Sequence, residues 1–200
     1  MANKWDERYA AGRYFYGTEP NDFLVEHVAE IPAGGDVLCL AEGEGRNAVF
    51  LAGRGLRPVA LDQSSVGLAK ATRLAAARGV TLSTLHADLD SYVFEPRRWD
   101  GIVSIWCHLP TALRLRVHRQ VVEALRPGGV FLLEAYRPDQ LRYRTGGPSE
   151  LDLLPTLQTL RSELQGLEFT HAQELDRTIQ EGDGHAGLSA VVQVVCRKAG

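Results

Sequence analysis

One feature rules out most folds for this chain. A short apolar run, a glycine-marked turn and a segment with helical spacing of its apolar residues recur in that order along two thirds of its length. The runs are DVLCLA (36–41), RPVALD (57–62), VTLSTLHAD (80–88), WDGIVSIW (99–106) and GVFLLEAY (129–136). RNAVFLAGRG (46–55) has helical spacing and is stopped by Gly53 and Gly55. A second helix is expected from Ser64 or Ser65 through Ala77, ended by Gly79. TALRLRVHRQVVEAL (111–125) sets Leu113, Val117, Val121 and Leu125 four residues apart on one face, and Pro127, Gly128 and Gly129 end it. On this pattern the basic residues Arg114, Arg116, His118 and Arg119 form a solvated face. Strands alternating with helices predict a mostly parallel sheet with right-handed crossovers. Runs this evenly apolar predict helices on both faces.

The alternation stops after Tyr136. A polar stretch (137–148) precedes a helix near residues 156–165, and EFTHAQELDRTIQEG (168–182) and LSAVVQVVCRK (188–198) are joined by DGHAG. Two strand-like segments across a short glycine-rich turn predict a hairpin. The expected architecture is therefore α/β, a Rossmann-like doubly wound, mostly parallel seven-stranded sheet that ends in an antiparallel hairpin. One domain over 1–200 accommodates it, with 1–30 as an N-terminal lid segment and 137–165 as an acceptor-site insertion.

Composition removes several function classes. Twenty-two Lys and Arg against 25 Asp and Glu leave a net charge of −3, which gives no broad field for a polyanion, so no nucleic-acid partner is expected. The longest apolar stretches fall far short of the roughly 20 residues that span a bilayer, so no membrane association is expected. The first twenty residues lack the apolar block of a secretory signal, which points to a cytoplasmic protein. Cys39, Cys107 and Cys196 lie far apart without CxxC spacing, which implies neither a disulfide framework nor a metal site.

The chemistry concentrates in AEGEGRNA (41–48), between the first run and the first helix. Gly43 and Gly45 stand where the chain must turn sharply and let a ligand approach its backbone, and the helix from Arg46 presents unpaired N–H groups. Asp62 ends the second strand 19 residues after Gly43, the position of a ribose-binding carboxylate in doubly wound folds. Asp88 ends the third strand on the same edge, within reach of an adenine amine. Together they imply an adenosine. Gly43, Gly45 and Ala48 also satisfy GxGxxA, so an NAD(P)-dependent oxidoreductase of Rossmann type stays open on spacing alone.

VLCLAEGEGRNAVFLA resembles the first motif of the class I S-adenosylmethionine (SAM)-dependent methyltransferases, and ALRPGGVFLLEAY resembles their fifth-strand signature. WDERYAAGRYFYGTEPNDFL resembles the N-terminal segment of the tellurite-resistance and thiopurine methyltransferase-like branch. Cys39 stands where the family carries an acid and Ala41 where it carries its first glycine; Arg46 and Asn47 match the Gly-Arg-Asn of tellurite-resistance-like members. The resemblance implies SAM as cofactor, held by Ala41, Glu42, Gly43, Gly45, Arg46, Asn47, Asp62, Gln63, Asp88, Leu89 and Trp106. SIWCHLP lacks the Asn/Asp-Pro-Pro-aromatic motif of methylases acting on DNA bases or glutamine amides, which weighs against those substrate classes; a small-molecule acceptor is expected.

In-line methyl transfer needs alignment before it needs a base. Trp5, Tyr9, Tyr14, Phe15 and Tyr16 make the N-terminal segment aromatic, as a lid over a sulfonium would be. Arg8 and Arg46 are candidates for the methionine carboxylate. Trp106, His108 and Tyr16 are the candidate catalytic residues: Trp106 as a wall, His108 as a proton acceptor, Tyr16 in the lid. Tyr136, Arg142–Pro148 and His185 are placed over the same edge. The expected activity is methyl transfer from SAM to a small thiol, chalcogen or amine; a non-catalytic SAM sensor is the remaining alternative. The sequence leaves the oligomeric state open.

Overall fold

The computed structural model describes residues 4–200. Seven strands form one sheet: β1 (Asp36–Leu40), β2 (Arg57–Asp62), β3 (Ser83–His86), β4 (Trp99–Ile105), β5 (Leu125–Tyr136), β6 (Leu167–Glu181) and β7 (His185–Lys198). Their spatial order is β3-β2-β1-β4-β5-β7-β6. The first five are parallel, and β7 lies antiparallel between β5 and β6, as the break in alternation predicts.

Six α-helices accompany the sheet: α1 (Lys4–Tyr9), α2 (Asp22–His27), α3 (Arg46–Gly53), α4 (Ser65–Ala77), α5 (Thr111–Ala124) and α6 (Leu157–Glu163). Residues from α2, α3 and α4 pack on one face of the sheet around Val37, Cys39 and Val103. Those of α5 and α6 pack on the other around Leu38, Ile102 and Phe131. Side chains facing both ways explain why the central runs are continuously apolar. Ser64 caps α4 by accepting from the Gly67 N–H, and Asn21 caps α2 through the Leu24 N–H.

The structure corrects the expected boundaries in two places. Pro127–Gly129 do not form a free turn after α5: Leu125 pairs with Trp99, and the ladder resumes at Gly101 and Val130 after an irregularity. The hairpin turn is shorter than DGHAG, because Glu181 pairs with His185 and Gln180 with Ala186, which puts His185 in β7. A third correction concerns α5. Arg114 and His118 are not solvated: both are buried and meet the Glu163 carboxylate of α6, His118 Nδ1 at 2.8 Å and Arg114 Nε at 3.1 and 3.2 Å.

The N-terminal 1–30 segment divides. Lys4–Gly17 contributes residues to a cavity at the carboxyl edge of the sheet, whereas Phe23, Leu24 and Val28 belong to the core. Residues 137–165 divide likewise. Gly146–Glu150 and Leu153 face the cavity, while Leu160 and Leu164 pack beneath α5. Among the described residues no helix is long and apolar enough to cross a membrane, and no group of His, Cys, Asp and Glu has the arrangement of a metal site.

Candidate active site

The cavity, of about 710 Å³, lies over the carboxyl ends of the strands, where open α/β sheets bind ligands. Ala41, Glu42, Glu44, Arg46 and Asn47 bound its first half, whereas Gly43 and Gly45 do not line it: Gly43 lies against Tyr9, and Gly45 packs on Ala71 of α4, where a Cβ would collide. Gly43 has a φ of +60°, and a Cβ built there would stand 2.6 Å from the Tyr9 hydroxyl, so the turn and the lid meet with no room for a side chain. Ala41 takes a φ of +49° with a side chain in place, the conformation that explains a glycine at this position in the family.

Asp62 lines the cavity and also builds it. Its Oδ2 accepts from the Gly43 N–H at 2.8 Å and its Oδ1 from the Ser64 N–H at 2.7 Å, while burial raises its pKa. Each oxygen keeps a second acceptor site for a hydroxyl. Glu42 closes the start of α3 by accepting from the Ala48 N–H at 2.7 Å, and burial pushes its pKa up to about 7. Gln63, Asp88 and Leu89 lie along the same wall, Asp88 with its Oδ1 taking the Asp90 N–H.

Two assigned residues are already occupied by the protein. Arg46 is not an open guanidinium, because its Nη2 donates to Glu181 Oε2 at 2.6 Å and both side chains are buried. The Asn47 side-chain Oδ1 accepts from the Asn21 backbone N–H at 2.9 Å, a bond that fixes the chain entering α2. Both residues line the cavity nonetheless. The Arg8 guanidinium carbon stands 4.9 Å from the centre of the Trp5 ring and 5.3 Å from that of Phe15, and its Nη1 donates to Tyr16 Oη at 2.9 Å; no carboxylate partner accompanies it among the described residues.

The second half of the cavity is aromatic. Trp106 has a φ of +57°, a strained conformation for so bulky a residue. Its ring stacks on Tyr136 at 4.5 Å and its Nε1 donates to Glu181 Oε2 at 2.6 Å. Tyr16 stacks on His185 at 4.7 Å, under the lid. His108 does not serve as a base. Its Nδ1 donates to the Trp106 carbonyl at 3.0 Å, its Nε2 accepts from the Tyr136 N–H at 3.0 Å, and burial drives its pKa down to about 4. With both nitrogens bonded to backbone, His108 holds the β4 and β5 ends together. Cys107 also lines the cavity, and burial raises its thiol pKa.

Tyr14 and Tyr136 do not line the cavity. Tyr14 donates to the Lys70 carbonyl and packs toward α3 and α4, and Tyr136 lies buried beneath Trp106. Arg142 and Tyr143 turn to Asp139 and Asp176 instead.

Sequence reasoning missed the buried polar frame. Glu44, between the two glycines, accepts from the Phe15 and Tyr16 N–H groups at 2.7 and 3.4 Å and is ion-paired with Lys70. The Lys70 ammonium also donates to the carbonyls of Tyr9, Ala11 and Arg13, so the lid is wrapped around a charge pair. Glu181 Oε1 accepts from Asn21 Nδ2, which also reaches Glu134; Glu134 in turn holds Arg177 and Gln193. The available signals were an acid inside the glycine turn and an acid directly before Gly182.

A doubly wound sheet with a glycine turn after β1, an acid ending β2 and a terminal antiparallel pair defines an α/β domain for a nucleoside cofactor. Residues 37–129 match the family described as methyltransferase domain. Over 129 residues the chain is 30% identical to a 2-heptyl-1-hydroxyquinolin-4(1H)-one methyltransferase of Mycobacteroides abscessus, covering 60% of this chain and 57% of that protein. The chain therefore spans less than two thirds of this curated relative. The fold is similar to that of TehB from Haemophilus influenzae, with a TM-score of 0.74 and 19% identity over 97% of this chain and 65% of the other. It also matches an S-adenosylmethionine-dependent methyltransferase from Mesorhizobium loti, with a TM-score of 0.67 and 21% identity over 87% and 96%. Residues 37–129 are thus similar to methyltransferase domains, and the chain shares its fold with enzymes that use S-adenosylmethionine. The residues present fit S-adenosylmethionine: the buried Asp62 carboxylate keeps acceptor capacity at the cavity wall, and Gln63 and Asp88 stand beside it.

Proposed function

We propose that this protein transfers the methyl group of SAM to a small-molecule acceptor by in-line displacement, the nucleophile being a thiol, chalcogen or amine. The observation that carries the reading is one continuous cavity whose first half is lined by Ala41, Glu42, Glu44, Asp62 and Asp88 and whose second half is walled by Trp5, Tyr16 and Trp106. In this reading the backbone of residues 41–45 and Asp62 hold the nucleoside, with Asp88, Gln63 and Leu89 around its base. SAM supplies a methyl group on a leaving sulfonium. The chain supplies alignment, worth on the order of 7–11 kcal/mol when reacting atoms are held in contact, and a lid that keeps water out.

The relative from Mycobacteroides abscessus supports a planar aromatic acceptor, because its hydroxyquinolone would lie flat against rings such as these. We place the reaction in the cytoplasm, where Cys39, Cys107 and Cys196 stay reduced.

Calorimetry with S-adenosylhomocysteine tests the reading. Binding is expected, and Asp62→Ala weakens it by about 1.5–3 kcal/mol, the range for a hydrogen bond to a charged group. No heat at millimolar ligand refutes it. Binding without S-adenosylhomocysteine release from SAM across thiols, phenols, chalcogen anions and amines makes the domain a sensor instead.

A further inference from the structure

We propose that Glu181 is the positioning residue that joins the two halves of the site: its carboxylate, paired with Arg46 at the cofactor end, fixes the Trp106 indole that walls the acceptor end. The inference rests on the methyltransferase reading above and adds to it what aligns the acceptor.

Trp106 has to be held in place. It follows β4 with a φ of +57°, a conformation that costs free energy in so bulky a residue and that its surroundings must enforce. Its backbone N–H donates to the Glu134 carbonyl at 3.0 Å. Its ring centre is 4.5 Å from that of Tyr136 and 4.9 Å from that of His185. Ring contacts of this kind are broad in angle, so they confine the indole without fixing its rotation. The directional contact is the Nε1–H bond to Glu181 Oε2 at 2.6 Å.

Glu181 is fixed in turn. Arg46 Nη2 donates to the same Oε2 at 2.6 Å, and Asn21 Nδ2 donates to Oε1 at 2.9 Å. The Asn21 amide has one orientation, since its Oδ1 takes the Leu24 N–H at 3.0 Å and its Nδ2 also reaches Glu134 Oε2 at 2.6 Å. All three neighbours of Glu181 are donors, a set that an acceptor-only carboxylate satisfies and an amide does not. The Glu181 and Arg46 side chains are each 7% exposed, so the pair is shielded from water.

Arg46 and Trp106 both line the cavity, whereas Glu181 stands behind them, outside its lining. One oxygen therefore ties the start of α3, beside the cofactor, to the ring against which the acceptor lies. A misplacement of about 1 Å costs about 100-fold in rate, so this link acts on kcat.

Indole N–H resonances in nitrogen-15 NMR read the bond directly, and among the three tryptophans Trp106→Phe identifies the one at issue. The Trp106 N–H is expected downfield and protected from exchange. Glu181→Gln, which removes the charge and keeps the volume, moves it upfield and speeds its exchange about tenfold. Arg46→Gln shifts the same resonance, although Arg46 makes no bond to the indole. A resonance indifferent to either substitution overturns the proposal. The second measurement is methyl transfer at saturating SAM to 4-nitrothiophenol, which is already a thiolate at pH 7. Glu181→Gln and Trp106→Phe are each expected to lower kcat about 10- to 100-fold, and the double variant no further than the worse of the two. Losses that multiply overturn the proposal, because Glu181 then acts other than through Trp106; so does a kcat that Glu181→Gln leaves unchanged. Glu181→Asp, which shortens the reach, carries the same expectations if Glu181→Gln does not fold. If S-adenosylhomocysteine binds but 4-nitrothiophenol is not methylated, the resonances decide alone; if it does not bind, the methyltransferase reading falls and the positioning role with it.

Discussion

Replacing Lys70 by Met is expected to loosen the lid without dissolving the fold. The substitution keeps the apolar stem that packs in α4 and removes the ammonium. Four groups then lose their partner: the Glu44 carboxylate and the carbonyls of Tyr9, Ala11 and Arg13. Lys70 is 2% exposed and Glu44 4%, so the carboxylate stays buried with only two backbone N–H donors, from Phe15 and Tyr16. Removing one partner of a buried ion pair costs about 3–5 kcal/mol. The lid can open locally, so the loss concentrates there. At about 1.4 kcal/mol per factor of ten, amide exchange of Phe15 and Tyr16 should accelerate by roughly two to three orders of magnitude, while amides of β1 and β5 change far less. Glu44→Gln alone should act in the same direction. The double variant Lys70→Met/Glu44→Gln should cost well under the sum of the two, because it buries no uncompensated charge. Hydrogen exchange followed by NMR measures all three. Additive effects, or unchanged exchange at residues 15 and 16, would refute the account of the lid as folded around a charge pair.

Two further outcomes follow from buried charges. Glu42 titrates near 7 in the fold and near the ordinary carboxylate value when unfolded, so the native state binds the extra proton between them. Its contribution is therefore fully present below about pH 4.5 and lost progressively as pH rises through 7, by about 3 kcal/mol in all. Glu42→Gln should flatten that part of a urea-midpoint profile, and an unchanged slope removes Glu42 as its source. Glu163→Ala should destabilise the fold by about 3–5 kcal/mol in urea unfolding, since it leaves both Arg114 and His118 buried without their carboxylate; a loss under 1 kcal/mol would show that solvent reaches the α5–α6 seam.

The two halves of the site were unequally legible, and the reason is range. Gly43, Gly45 and Asp62 declare themselves because a turn and a strand end are local events with strict residue requirements, and the structure brings them together through the Gly43 N–H bond to Asp62. The aromatic half depends on which charges find each other. Arg46 meets Glu181 from 135 residues away, and Arg114 meets Glu163 from 49. Periodicity assigns a charged side chain to solvent because burial without a partner is prohibitive, and it has no access to the partner. The hairpin shows the same effect in backbone terms. DGHAG has the composition of a loop, but Gly184 within it and Gly182 just before it lie against Phe15 and Tyr16, and the ladder closes at Glu181 and His185. Two histidines mark the limit. His108 follows a strand at the reactive edge and is the natural choice for a base, whereas His185 sits among glycines. Nothing in either residue or its neighbours in sequence shows what its nitrogens meet. The Trp106 carbonyl and the Tyr136 N–H take both nitrogens of the first, and the Tyr136 hydroxyl stands 2.7 Å from Nδ1 of the second.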